Sequence, residues 1–201
     1  MTQIEFTDFI LDQAITWWQF TLVGILIIIG WIINLFDDKE GTKRIGFEYK
    51  DMPQLQPIPI ATKGKGFWGA IWLWITGSRK WIIAKDFVFK INGVQYVIPK
   101  GFQFDGASIP KFLRTFFSPV GVLLIGGLVH DYMYKYTACK PANKKDALLI
   151  VDQKKADQIF RDININVNGF YTMNYLAYWS LRLGGFVAWN GHRKRNEKIK
   201  D

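Results

Sequence analysis

A histidine, two aspartates and a tyrosine are the residues of this chain best suited to chemistry. His130 and Tyr134 lie four positions apart, so on a helix they share a face, and Asp131 points to the neighbouring side. Asp157 follows on the next predicted helix, and two antiparallel helices would bring its carboxylate to an imidazole nitrogen of His130. A carboxylate there fixes the tautomer and stabilises the imidazolium, which makes His130 a competent general base.

The same residues also fit a structural role. A single histidine within a helix usually makes a structural hydrogen bond, and Asp-Tyr pairs often tie helices together. Because perturbed sites indicate function only in a probabilistic way, the spacing alone leaves catalysis and scaffolding both open.

Asp131 and Asp105 are the candidate metal ligands. A carboxylate beside loop carbonyls suits a hard cation such as calcium, which would polarise an ester carbonyl and stabilise the developing oxyanion. The competing interpretation of Asp105-Gly106 is a tight turn with Ser108 as a cap, and both interpretations of Asp105 stay open. For Ser108 we favour the cap, since its neighbours lack the pattern of a nucleophile elbow.

Three helices and a hairpin must position these residues. The helices are predicted from Ser118-Pro119 to about Thr137, from Asp152 to about Ile165, and from Tyr171 to Trp189. Ser-Pro is a typical helix start, with serine as the N-cap and proline at the first helical position. Asn92-Gly93 between β-rich runs predicts a hairpin at about 81–98 with a type I′ turn.

Four motifs carry a first resemblance to a known family. They are FDGASIP at 104–110, VHDYMY at 129–134, ADQIF at 156–160 and LRLGG at 181–185. In this order and spacing, over about residues 81–190, they resemble a phage-borne domain family of undefined function. The resemblance implies a bacteriophage or prophage origin and supplies no reaction.

The pair HDYMY and ADQIF is also similar to the phospholipase A2 pattern, most of all the disulfide-free form in parvovirus capsids. The similarity covers about residues 130–165. It implies a fold in which an HDxxY helix packs against a helix bearing a second aspartate. It further implies that His130 activates the hydrolytic water, Asp131 binds calcium, Tyr134 supports the network and Asp157 orients His130.

An uncharged run at 16–36 shapes the expected organisation of the chain. Its 21 residues correspond to about 31 Å of helix, with Trp17, Trp18 and Trp31 towards the ends. It predicts a single transmembrane helix rather than a cleaved signal peptide, since only acidic charges precede it and no small-residue cleavage site follows. The remaining segments are an acidic N-terminal segment (1–15), a linker (37–66), an α+β domain (67–190) and a basic tail (191–201).

Charge and composition restrict the classes of partner that we expect for this chain. The chain holds 26 Lys and Arg against 17 Asp and Glu, a formal charge of +9, and the positive charge follows the predicted span. The positive-inside rule therefore puts the C-terminal domain on the cytoplasmic side of a host inner membrane, or inside a virion with an internal membrane. A lipid bilayer, virion or capsid proteins and nucleic acid are the expected partners, and charge does not separate anionic lipid from nucleic acid.

Two further features limit the chemistry. The aromatic segment 67–77 is either interfacial, with Trp68, Trp72 and Trp74 in a headgroup region, or ordinary core packing. The lone Cys139 excludes an intrachain disulfide. Walker, GxGxxG, HExxH and paired-cysteine motifs are absent from the sequence, so nucleotide chemistry and zinc hydrolysis lack support.

Two hypotheses follow. The first is a membrane-anchored bacteriophage protein whose phospholipase-A2-like, calcium-dependent domain hydrolyses bilayer phospholipids when the phage enters or lyses its host. The second is a non-catalytic, membrane-anchored virion or assembly protein that links a bilayer to a capsid or genome. A His130–Asp157 hydrogen bond beside an open cleft would favour the first, and a pair sealed by apolar residues would favour the second.

Overall fold

The computed structural model describes residues 3–37, 44–76, 80–104, 121, 123–143, 145–195 and 199. The chain divides into two compact units, Met1–Lys43 and Arg44–Asp201. The second unit contains helices together with two sheets, and all of its described strand pairs are antiparallel. The predicted α+β class is therefore confirmed.

The first unit corrects the membrane prediction. Its helices are α1, Gln3–Thr16, and α2, Trp18–Asp37. Among the described residues, none of the helices combines the length and the apolarity that crossing a membrane requires. A span needs about 20 predominantly apolar residues, whereas α2 has Gln19 and Thr21 in its first turn and Asn34 and Asp37 in its last. The predicted transmembrane helix at 16–36 is wrong, and so is the single-pass membrane location with a cytoplasmic or virion-interior domain.

The second unit combines two antiparallel sheets with helices. In chain order its described elements are β1 Phe47–Tyr49, β2 Leu55–Ile58, α3 Gly66–Thr76, β3 Lys80–Ile83, β4 Phe87–Ile91, β5 Val94–Ile98, β6 Gln103–Phe104, α4 Leu124–Tyr136, β7 Ala138–Pro141, β8 Leu149–Ile150, α5 Gln153–Asn168 and α6 Tyr171–Arg195. One sheet has the strand order β1-β4-β5-β7-β8 and the other β2-β3-β6. Strands β1 and β2 both come from the segment that was predicted as a linker.

The predicted hairpin is present, in a shorter form. Strands β4 and β5 pair with Ile91 opposite Val94, and the two-residue turn has φ of 50° at Asn92 and 82° at Gly93. Positive φ at both positions is what a type I′ turn requires. The upstream half of the run instead forms β3, which pairs with β2 and β6 in the other sheet.

Local signals set the ends of the helices. Asp152 caps α5 by accepting a hydrogen bond from the Lys155 backbone N–H at 2.7 Å, and Gly169, at φ 67°, ends the helix. The predicted start of the first helix at Ser118-Pro119 lies outside the described residues. Helix α6 runs on to Arg195, so part of the predicted basic tail is helical.

The core lies between the five-stranded sheet and helices α4 and α5. Sheet residues such as Phe89 and Ile98 pack in one buried cluster with Leu128 of α4 and Ile159 of α5. Helix α4 also contacts α6, and α5 contacts α6. This three-helix packing sets the distance between His130 on α4 and any residue on α5.

Candidate functional site

The carboxylate of Asp157 joins helices α4, α5 and α6. Its Oδ1 accepts a hydrogen bond from the Tyr134 hydroxyl at 2.6 Å and lies 2.8 Å from His130 Nε2. Its Oδ2 accepts a hydrogen bond from Arg182 Nη1 at 2.7 Å. Asp157 has no exposed surface. A fully buried charge is costly unless it is paired, and here three donors from two other helices compensate it.

His130 is hydrogen-bonded through one ring nitrogen, and its other ring nitrogen lies near the carboxylate of Asp131. Because Asp157 accepts at Nε2, the proton of the neutral ring resides there, which leaves the lone pair on Nδ1. Nδ1 has no hydrogen-bond partner among the described residues. The nearest carboxylate oxygen, Asp131 Oδ1, is 3.7 Å away, beyond hydrogen-bond length. The ring itself is fixed by packing against Tyr134 and Phe160, at centroid distances of 4.0 and 5.3 Å.

Two opposing effects set the pKa of His130. Burial disfavours the imidazolium and lowers the pKa, but the carboxylates of Asp131 and Asp157 outweigh burial and raise it above 6.5. The resulting stabilisation of the fold is fully present below pH 6.5 and is lost as the pH rises through the raised pKa. Burial and Asp157 also raise the pKa of Tyr134, so its hydroxyl remains a donor.

Asp131 faces a cavity of about 510 Å³. Its side chain is 10% exposed, and Tyr134 lines the same cavity. The remaining lining residues are Lys80, Phe102, Gln103, Phe104, Lys135, Ala188, His192 and Arg195. The cavity is therefore lined by Asp131, which follows His130 in the chain, and by Tyr134, which is hydrogen-bonded to Asp157 as His130 is.

His130, Asp131, Tyr134 and Asp157 lie within a stretch that a protein-family model matches. The model covers residues 81–180 and is described as a protein of unknown function (DUF1353). Residues 81–180 are a DUF1353 domain. The expected match to a domain family of undefined function is confirmed to that extent, while the phage origin and the phospholipase A2 relationship stay predictions. No curated protein and no solved structure matches the chain.

The structure brings together four of the five predicted site residues of the DUF1353 domain. The hydrogen bonds of Asp157 to His130 and Tyr134 are present, and Asp131 is next to the imidazole. The roles assigned to these residues stay predictions. The fifth residue, Asp105, lies outside the described residues, and so does Ser108.

The calcium prediction is not tested by the part of the DUF1353 domain that the structure describes. No group of three or more His, Cys, Asp or Glu residues that could hold a metal ion occurs among the described residues. Asp131 is the one predicted calcium ligand whose place is described. We therefore derive no reaction step through a metal ion, and calcium stays a prediction.

Arg182 was not predicted as a site residue, although it lies two positions after the end of the DUF1353 match. The sequence feature that could have indicated this residue is a charged arginine in the apolar part of the third predicted helix, within the motif LRLGG. Hydrogen bonding to Asp157 places it in the cluster, and the same bond raises the pKa of its guanidinium against the opposing effect of burial. In the sequence prediction Asp157 had only His130 and Tyr134 as partners. A buried carboxylate with two uncharged partners needs a cation as well, and this need could have indicated Arg182.

Gly185 lets α6 approach the cluster. A Cβ at this position would overlap the hydroxyl of Tyr134, whereas a Cβ at the adjacent Gly184 meets nothing within 4 Å. We expect Gly185→Ala to destabilise the fold by about 1–3 kcal/mol, because Tyr134 must move away from Asp157. Gly184→Ala is the matched control and should stabilise the helix by about 0.5–1 kcal/mol. Urea unfolding of both variants measures the difference, and equal effects would contradict the close approach.

Proposed function

We propose that the DUF1353 domain is an ester hydrolase with His130 as its general base and phospholipids as its substrate class. The observation that carries the proposal is the state of the imidazole. Nε2 is bonded to a buried carboxylate, and Nδ1, which is also buried, has no hydrogen-bond partner among the described residues and lies 3.7 Å from Asp131 Oδ1. A histidine oriented in this way through one nitrogen can act as a base through the other.

In the proposed ester hydrolysis, His130 and one water molecule account for every proton and for the leaving group. The reaction requires water to reach Nδ1 of His130, which is buried in the described structure. Nδ1 then removes a proton from this water as the water oxygen bonds to the ester carbonyl carbon. The tetrahedral intermediate then expels the alkoxide, which takes the proton back from the imidazolium, giving an alcohol and a carboxylic acid. Asp157 stabilises the imidazolium through Nε2–H, while Tyr134 and Arg182 hold the carboxylate in place.

An exposed aromatic surface on α3 supports a lipid substrate. Phe67, Trp68 and Trp72 are 71%, 79% and 68% exposed, and Lys63 and Lys65 just before them are also exposed. These three side chains are therefore not core packing, which favours the interfacial interpretation. Two of the 26 Lys and Arg and six of the 17 Asp and Glu precede residue 44, so residues 44–201 hold 24 against 11. This charge of +13 attracts an anionic lipid surface.

The α3 surface is expected to enter anionic phospholipid vesicles. A polarity-sensitive dye on Trp68→Cys should shift its emission to the blue when vesicles are added to the full chain. The double variant Trp68→Gln, Trp72→Gln should bind the vesicles about 100-fold more weakly, because two large side chains no longer leave water.

The matched control is Ile150→Cys, an apolar residue that is 74% exposed elsewhere in the same unit. The dye at this position should keep its emission in the presence of vesicles. Equal blue shifts at positions 68 and 150 would contradict a specific lipid-contacting surface on α3.

The hydrolase proposal is tested by fatty-acid release from phospholipid, using the full chain in mixed detergent–phospholipid micelles. Calcium and chelator arms are run beside the His130→Asn variant. Release that His130→Asn abolishes supports the proposal, and its loss with chelator supports calcium. Release that is equal in wild type and His130→Asn overturns the role of His130. No release from a folded wild-type chain overturns the enzyme.

The second candidate is a non-catalytic virion or assembly protein. The observation that favours it is that His130 and Asp157 both have no exposed surface, as expected for residues that only tie helices together. The charge of residues 44–201 would then serve contacts with a capsid or a genome. Absence of hydrolysis with an intact fold would select this candidate.

A further inference from the structure

We propose that the cavity beside Asp131 binds a phosphate group. Lys80, Lys135, Arg195 and His192 line it, and Asp131 is the only carboxylate among its described lining residues. A volume of about 510 Å³ is within the usual range for small-ligand sites. Binding of phosphate is independent of the proposed function, whereas its assignment to the headgroup of a phospholipid substrate rests on that function.

The cations come from separate elements that converge on the cavity. Lys80 opens β3, Lys135 lies in the last turn of α4, and Arg195 is the last residue of α6. Since these residues are far apart in the sequence, their convergence is a product of the fold. Ordinary solvated lysines spread over a surface would not share one concavity with an arginine and a histidine.

Contacts within the fold hold two of these cations in position. The Lys135 ammonium lies over the rings of Phe102 and Tyr136, at 5.6 and 5.5 Å from their centroids. Arg195 Nη2 is 2.7 Å from His192 Nδ1. Such restraint reduces the entropy that a ligand must remove on binding.

Arg193 links the two helix ends that carry Lys135 and Arg195. Its Nη2 donates to the backbone carbonyl oxygens of Tyr134 and Lys135, at 2.6 and 2.8 Å. The end of α6 is therefore tied to the end of α4. This tie fixes the spacing between the lysine and the arginine across the cavity.

Phosphate is the chemistry that fits these donors. Three permanent cations and a histidine offer charge and several N–H groups to one compact oxyanion, and the arginine fork matches the spacing of phosphate oxygens. Asp131 lies on the same cavity and 3.7 Å from His130 Nδ1. A phosphate held by the basic residues would therefore lie beside Asp131, the residue that follows the proposed base, whereas His130 itself does not line the cavity.

Isothermal titration of the full chain tests the site, with inorganic phosphate and a short-chain phospholipid below its micelle concentration as the probes. Lys80→Gln and Arg195→Gln should each weaken binding about tenfold, because each removes a charge-assisted contact. Lys90→Gln is the control, since Lys90 lies outside the cavity beside Glu48. Binding of phosphate itself identifies the free anion as a ligand, and binding of the lipid alone identifies the headgroup.

The outcomes separate this inference from the hydrolase proposal. The His130→Asn variant should still bind the probes, because its side chain does not line the cavity. Probe binding that depends on Lys80 and Arg195, together with no hydrolysis by wild type, keeps the phosphate site and rejects the enzyme. No binding of either probe, or equal weakening in Lys90→Gln, overturns the phosphate site even when hydrolysis is observed.

Discussion

Replacing Asp157 by alanine is expected to lower the free energy of unfolding by about 3–5 kcal/mol, the usual cost of breaking a buried ion pair by removing one partner. The carboxylate has no exposed surface and is bonded to His130, Tyr134 and Arg182. Its loss leaves a guanidinium without its partner and a buried hydroxyl without an acceptor. Urea-dependent hydrogen exchange of the backbone amides of α4, α5 and α6 measures the effect within the second unit.

The control for this prediction is Asp51→Ala, which removes an exposed carboxylate from the same unit. Its effect should stay within about 0.5 kcal/mol. Asp157→Asn should lie between the two, because the amide keeps an acceptor for Tyr134 but loses the charge. A loss below about 1 kcal/mol for Asp157→Ala would contradict the view that this carboxylate holds the three helices together.

Local chemistry explains which parts of the structure were predictable from the sequence. The Asn92-Gly93 turn and the Asp152 cap each depend on residues within three positions of one another. The contact of His130 with Asp157 was predicted from helical spacing, although residues 137–152, with strands β7 and β8, connect the two helices. In all these cases the residue types restrict the backbone or the packing directly.

Features that depend on contacts between residues far apart in the sequence were not predicted. Strands β1 and β2 are three and four residues long, and their partners lie tens of residues away, so no local period indicated them. Arg182 joins Asp157 across 25 positions. The membrane prediction failed for another reason, because it counted the absence of charge over 16–36 and gave no weight to the polar residues in the end turns of α2.

Replacing His130 by asparagine is expected to lower ester hydrolysis by about 10²–10⁴-fold, the usual contribution of a general base. The amide retains polar groups in the cluster, whereas it cannot take up a proton at the position of Nδ1. Tyr134 and Arg182 still satisfy both oxygens of Asp157 in this variant. The rate should therefore fall much more than the stability, and steady-state kinetics beside urea unfolding measures both.

The pH dependence separates a base from a packing residue. In the proposed hydrolase the neutral imidazole would be the active form. Since carboxylates raise the pKa of His130 above 6.5, the rate should rise with pH through that raised pKa. Asp131→Asn removes one of these carboxylates and should move the rise to lower pH. Lys154→Gln, which changes an exposed charge on α5, should leave the profile in place. A wild-type rate that is flat from pH 5 to 9, or a profile that His130→Asn does not change, would mean that the imidazole serves the fold rather than the reaction.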